Sequence, residues 1–179
     1  MKKTMILLLL LVFILPTQAL GAAKYTYSSI EKIYFADYKE KVKEVRAAQK
    51  KLSGTTCTNV QTLTTKSKAS IANYNSLVKS KASKEVLAKA KEERENDKKQ
   101  LKAAKKECSV KKQSYKKESD RLLKEIAAQK TELLKVIKTN FEGKGKLSQQ
   151  ELESTIHSGL TSMNAKFEAA LKVLKTDLG

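Results

Sequence analysis

Apolar residues return every three or four positions through most of this chain, and short polar stretches interrupt the returns. Ile30, Ile33, Tyr34, Tyr38, Val42, Val45 and Leu52 follow the period of an amphipathic helix. Ser28 and Glu31 fit a capping box at its start, Ser28 reaching forward and Glu31 reaching back. Ser53-Gly54 supplies the stop, with Gly54 free to take the left-handed conformation. The pattern predicts a helix over about 28–52.

Val60, Leu63, Ile71, Tyr74 and Val78 carry a second stripe, opened by a capping box at Thr58–Gln61. Its many Ser and Thr residues are poor helix-interior choices, so the stripe over 58–80 is weaker. From Ser83 to Phe141 the chain is rich in Lys, Glu, Ala, Leu and Gln, and a helix over 84–139 is expected. Leu101, Cys108, Tyr115 and Leu122 recur every seven residues, the spacing of a coiled-coil seam, and Ile126, Leu133 and Ile137 extend it. A third capping box, Ser148–Glu151, precedes Leu152, Ile156, Leu160, Met163, Phe167, Leu171, Leu174 and Leu178, the cleanest apolar stripe in the chain. It predicts a last helix over 149–177.

The expected fold is therefore all-α: an antiparallel helical bundle with coiled-coil-like long helices. Two cysteines, Cys57 and Cys108, add a constraint to it. No Gly or Pro lies between Gly54 and Gly143, so propensity alone permits one helix through both. A continuous helix would hold them about 75 Å apart, whereas a disulfide needs Cα atoms within about 7 Å. An internal bond thus requires a reversal, and Ser80-Lys81-Ala82-Ser83 is the weakest helical spot midway. A disulfide-clamped helical hairpin with arms 58–80 and 84–108 is expected, ahead of an intermolecular bond or free thiols. Past Cys108 two arrangements compete: a helix unbroken to about residue 139, or one broken near Ser109-Val110.

The front of the chain changes the compartment. Lys2 and Lys3 precede an apolar run from Met5 to Leu15, too short to span a bilayer core of roughly 30 Å. Small residues follow at Ala19, Gly21, Ala22 and Ala23. This is the layout of a signal peptide over 1–21, with cleavage possible up to 23. One helical domain is expected over 22–179, soluble, and secreted or, in a bacterium, periplasmic.

Charge narrows the partners. The formal net charge is +18, and loss of Lys2 and Lys3 leaves 35 basic against 19 acidic residues. Only Arg46, Arg94 and Arg121 are arginines, so the surface suits diffuse attraction more than bidentate recognition. The densest run is Lys98, Lys99, Lys102, Lys105, Lys106, Lys111, Lys112, Lys116 and Lys117, offset by Glu107. It is the candidate polyanion-binding site, with an anionic glycan, a lipid surface or an acidic protein as partner. A solvated helix face accounts for the same residues. Stacking aromatics are nearly absent beside it, which argues against single-stranded nucleic acid, and sequence-specific nucleic-acid binding is not expected.

Asn140–Glu151 has the spacing of a twelve-residue calcium loop, with Gly145 sixth, Leu147 eighth and Glu151 twelfth. The ligand slots fail: Asn140 is first, Glu142 third and Lys144 fifth, and Lys146 adds a second cation. A helix connection with Gly143, Gly145 and a Ser148 cap explains the same residues, so no metal is expected. His157 is the only histidine, and no nucleophile, phosphate loop or zinc spacing accompanies it. Neither enzyme activity nor a cofactor is expected.

Three functions fit. The first is a secreted, non-enzymatic helical interaction protein that binds an anionic partner through its Lys-rich surface. The second is a carrier holding a hydrophobic ligand inside the bundle, suggested by Tyr25, Tyr27, Tyr34, Phe35 and Tyr38. The third is a holdase-like exported chaperone. In size, charge and long helices alone the chain resembles periplasmic chaperones of the OmpH type, without the strands of that family's core.

Overall fold

The computed structural model describes residues 26–176 and 178. The predicted signal peptide and Tyr25 lie outside the described residues. Five helices follow in order: α1 Tyr27–Tyr34, α2 Tyr38–Gly54, α3 Thr58–Lys79, α4 Lys84–Phe141 and α5 Gln149–Leu174, with no strand among the described residues. The all-α class, the packing of long helices and the disulfide-clamped hairpin are as expected.

No Gly or Pro occurs from Lys84 to Phe141, and α4 runs its 58 residues without a break at Ser109-Val110. That is about 87 Å of helix. Every other helix packs against it. Up to Cys108 it runs beside α3, to which the disulfide ties it, and beyond Cys108 it carries most of the core shared with α1, α2 and α5. The Cys57–Cys108 bond sits where the two regions meet, with Cα atoms 6.0 Å apart. The core is concentrated in the second region. Leu122, Leu123, Ile126, Leu133 and Ile137 of α4 meet Val45 and Leu52 of α2 and Ile156, Met163, Phe167 and Ala170 of α5. Gly159 lets α5 approach closely: a Cβ there would lie 2.8 Å from a Leu133 methyl.

The paired arm is built differently. Its buried seam includes Ser67, Ser70, Ala90, Asp97 and Ala104 beside Val60. Small residues bring the helices close and bury little apolar area. Within α3, Thr62, Thr64 and Thr65 donate to carbonyls four residues back, at 3.2, 2.6 and 3.3 Å. Their hydroxyls are thereby satisfied inside the helix instead of competing with it.

Four expectations about the helices and their ends need correction. The predicted helix over 28–52 is two helices, because Phe35 leaves the helical conformation at φ −127°, ψ 27°. Ile30 and Phe35 are both buried, yet five residues apart they would sit about 140° apart around a continuous helix. The break turns both inward. The box at this end is Thr26–Ser29, not Ser28–Glu31: Thr26 Oγ1 accepts from Ser29 N at 3.1 Å and Ser29 Oγ accepts from Thr26 N at 3.0 Å. Glu31 is drawn away to pair with Lys130 across the bundle. Thr58 is likewise the first residue of α3, not its cap. Cys57, held by the disulfide, takes the cap position without a side-chain bond. Gly54 closes α2 without a positive φ, and Thr55 continues extended at φ −73°, ψ 139°.

Two reversals share one hydrogen-bond pattern. After α4, Gly143 N donates to Asn140 O and Lys144 N to Thr139 O, both at 3.0 Å. After α3, Lys81 N donates to Val78 O at 3.2 Å and Ala82 N to Leu77 O at 3.0 Å. Both are Schellman motifs with a left-handed residue in the turn. That residue is Gly143 at φ 71° in one and Lys81 at φ 56° in the other.

Candidate polyanion-binding face

An α-helix advances 100° per residue, so the lysines of α4 sort into files. Lys98, Lys105 and Lys116 lie seven and eleven residues apart and share one face. Lys99, Lys106 and Lys117 repeat the spacing one residue on, and Lys102 falls between the files. All seven are exposed. The span from 98 to 117 is about 28 Å of straight helix. The files lie away from Asp97, Ala104 and Cys108, which face α3.

The other two candidates do different work. Lys112 is half-buried, and its Nζ donates to Ser53 O at the end of α2, 3.1 Å away. It ties α2 to the spine one turn from the disulfide. Lys111, also half-buried, pairs with Glu107 at 3.6 Å. Neither belongs to the exposed face. Lys98 pairs with Glu95 at 3.5 Å. That pairing, after the larger Arg94 hydrogen bond, holds the Glu95 carboxyl below its ordinary range. Among the described residues, Lys99, Lys102, Lys105, Lys106 and Lys117 have no carboxylate within 4 Å. The region supplies few anions: residues 55–118 hold 17 Lys and Arg against 7 Asp and Glu, and α3 has no acidic residue.

One of those seven acids is hidden. Asp97 is 2% exposed in the arm's seam, with Oδ1 3.0 Å from Lys66 Nζ. Its Oδ2 has no hydrogen-bond partner among the described residues. The sequence reading missed it. The signal available was the seven-residue spacing of Ala90, Asp97 and Ala104, which places Asp97 on the seam opposite a helix whose charges are all positive.

A second polar group, also missed, lies inside the bundle. Gln49 Nε2 donates to Ser119 Oγ at 2.7 Å and to Asp120 Oδ1 at 2.9 Å, and Arg46 pairs with the same carboxylate. The Gln49 bond first, then Arg46, lowers the Asp120 pKa against the opposing effect of burial. The aromatics near α1 are engaged too. Lys130 Nζ lies 4.3 Å from the Tyr38 ring centre and 5.7 Å from that of Phe35. Tyr38 meets Phe167 edge-on at 5.9 Å.

The Asn140–Glu151 stretch is a helix connection. Asn140 Nδ2 donates to Val136 O at 2.9 Å, and its Oδ1 accepts from Leu147 N at 3.3 Å. Glu142 pairs with Lys138 and Lys144, and Glu151 accepts from Ser148 N at 2.8 Å. Both carboxylates are thus held by neighbours in the loop. The described residues contain no cluster of three or more His, Cys, Asp or Glu that could hold a metal, and no described helix is long and apolar enough to cross a membrane. His157 is exposed on α5. None of the family models, curated proteins or solved structures compared with the chain matches it.

Proposed function

We propose that this is an exported, non-enzymatic interaction protein that binds an anionic partner along the outer face of α4. One observation carries the reading: five lysines without carboxylate partners share one arc of an unbroken helix. A hydrated lysine file attracts charge without demanding a shape, which favours a flexible, repeating anion such as an acidic glycan. Two of the aromatics that suggest an internal ligand, Phe35 and Tyr38, are packed on Lys130, and Tyr38 also on Phe167, which supports a surface role over an enclosed one. The disulfide agrees with an oxidising compartment, the extracellular space or a bacterial periplasm.

Heparin chromatography of the oxidised protein tests the reading. Retention at low salt, steep elution with salt, and earlier elution of Lys99→Gln/Lys102→Gln/Lys106→Gln are expected. Flow-through at low salt, or unchanged elution of the triple variant, overturns it. Export is tested separately by N-terminal sequencing of the protein recovered outside the cell, which should begin after Gly21 or Ala23.

A further inference from the structure

We propose that the tip of the α3–α4 arm is a second contact site, one that docks on an anionic lipid surface. It uses lysines other than those of the α4 face, so either proposal can fail without the other.

The first observation is apolar exposure at seam positions. Val78 follows buried Ser67 by eleven residues, and Val86 precedes buried Asp97 by eleven, so both lie on the line of contact between the helices. Yet Val78 is 48% exposed and Val86 43%. Leu77, Ala82 and Leu87 are half-buried beside them.

The second observation is the charge around them. Lys79, Lys81 and Lys84 are exposed, and none has a carboxylate within 4 Å among the described residues. Glu85, the nearest acid, is taken by Lys89 at 3.1 Å. No Asp or Glu occurs from Thr55 to Ser83.

The third is backbone strain at the apex. Lys81 holds φ 56° in a turn whose counterpart after α4 uses Gly143. A side chain with a Cβ is disfavoured in that conformation, and glycine would relax it. The chain instead keeps an ammonium at the outermost point of the arm.

Exposed apolar side chains ringed by unpaired cations match the boundary where acyl chains meet anionic headgroups. A soluble polyanion would engage the lysines and leave the valines unused. The arm also presents the site well clear of the bundle. From Lys84 to Cys108 is about 36 Å of helix.

Co-sedimentation of the oxidised protein with vesicles tests the site. Vesicles of equimolar phosphatidylcholine and phosphatidylglycerol should carry the protein down, and phosphatidylcholine alone should not. Lys81→Gly should weaken vesicle binding about fivefold at low salt while raising the melting temperature, so a damaged fold cannot explain the loss. Val78→Ser/Val86→Ser, checked for helix content by circular dichroism, should weaken vesicle binding and leave heparin elution unchanged. The proposal is overturned if anionic vesicles leave the protein in the supernatant. It is equally overturned if the valine pair has no effect on sedimentation. Loss through Lys99→Gln/Lys102→Gln/Lys106→Gln with none through Lys81→Gly would assign the binding to the α4 face instead. Flow-through of the unsubstituted protein on heparin at low salt with intact sedimentation would remove the α4 proposal and keep this one.

Discussion

Replacing Cys57 and Cys108 by serine should loosen the arm and leave the bundle in place. The bond closes a loop of 51 residues, and all of α3 and α4 as far as Cys108 lie inside it. Chain-entropy reasoning assigns about 4 kcal/mol to a closure of that length. Little else holds this region. Its seam is Ser67, Ser70, Ala90, Asp97 and Ala104, residues that bury few methylene groups at about 0.8 kcal/mol each. The bundle, by contrast, contains Ile30, Val45, Ile126, Ile137, Met163 and Phe167. Native-state hydrogen exchange measures the two separately. Amides of residues 60–78 should lose about three decades of protection in the double variant, the equivalent of 4 kcal/mol. Amides around Ile126, Leu133 and Phe167 should change little. An equal loss in both regions would mean that arm and bundle open as one unit, and the separation argued from their cores would be wrong.

Four further outcomes are expected. Ser148→Ala removes one side of the α5 capping box and should lower stability by about 1 kcal/mol. Excess calcium or EDTA should leave the melting temperature unchanged, and a shift of several degrees with calcium would restore a metal site to the 140–151 loop. Gly145→Ala places a Cβ 2.0 Å from Asn140 Oδ1 and should cost about 1–2 kcal/mol by displacing that side chain; made together with Asn140→Ala, it should add far less than it does alone. Asp120 has a folded pKa below its unfolded one, so its contribution is present above about pH 4 and lost as pH falls toward the lowered value. Melting curves between pH 6 and pH 3, on the order of a full titration, should fall less steeply for Asp120→Asn, and parallel curves would refute the assignment.

The sequence was most informative where structure is local. Ser148 and Glu151 cap α5 because the box needs only four consecutive residues. Ser83 caps α4 over an equally short range, its Oγ accepting from Val86 N at 3.4 Å without a reciprocal partner. The cysteine pair made one long-range contact readable, since a covalent bond sets a distance that a continuous helix cannot meet. Other long-range effects left no local trace. The break at Phe35 depends on a core reached from two directions. Glu31 leaves its expected capping role for Lys130, 99 residues away. Lys112 looks like any lysine of its run, but its partner, Ser53 O, is 59 residues distant. Charge pattern alone therefore put nine lysines in one group, and the fold removes Lys111 and Lys112 from the exposed face.

The unbroken α4 also sets a spacing between charges. From Lys84 at the arm's tip to Lys98, where the lysine files begin, is about 21 Å along the helix. The Debye length at physiological ionic strength is about 8 Å. An anion held at the tip is therefore screened from the files by more than two such lengths, and occupying one end changes the other's affinity little through charge alone. A shorter arm would merge the two into a single basic field. At this length the segment from Lys84 to Lys98 separates two electrostatically independent groups of lysines, so that anions proposed for the two places would not compete through charge.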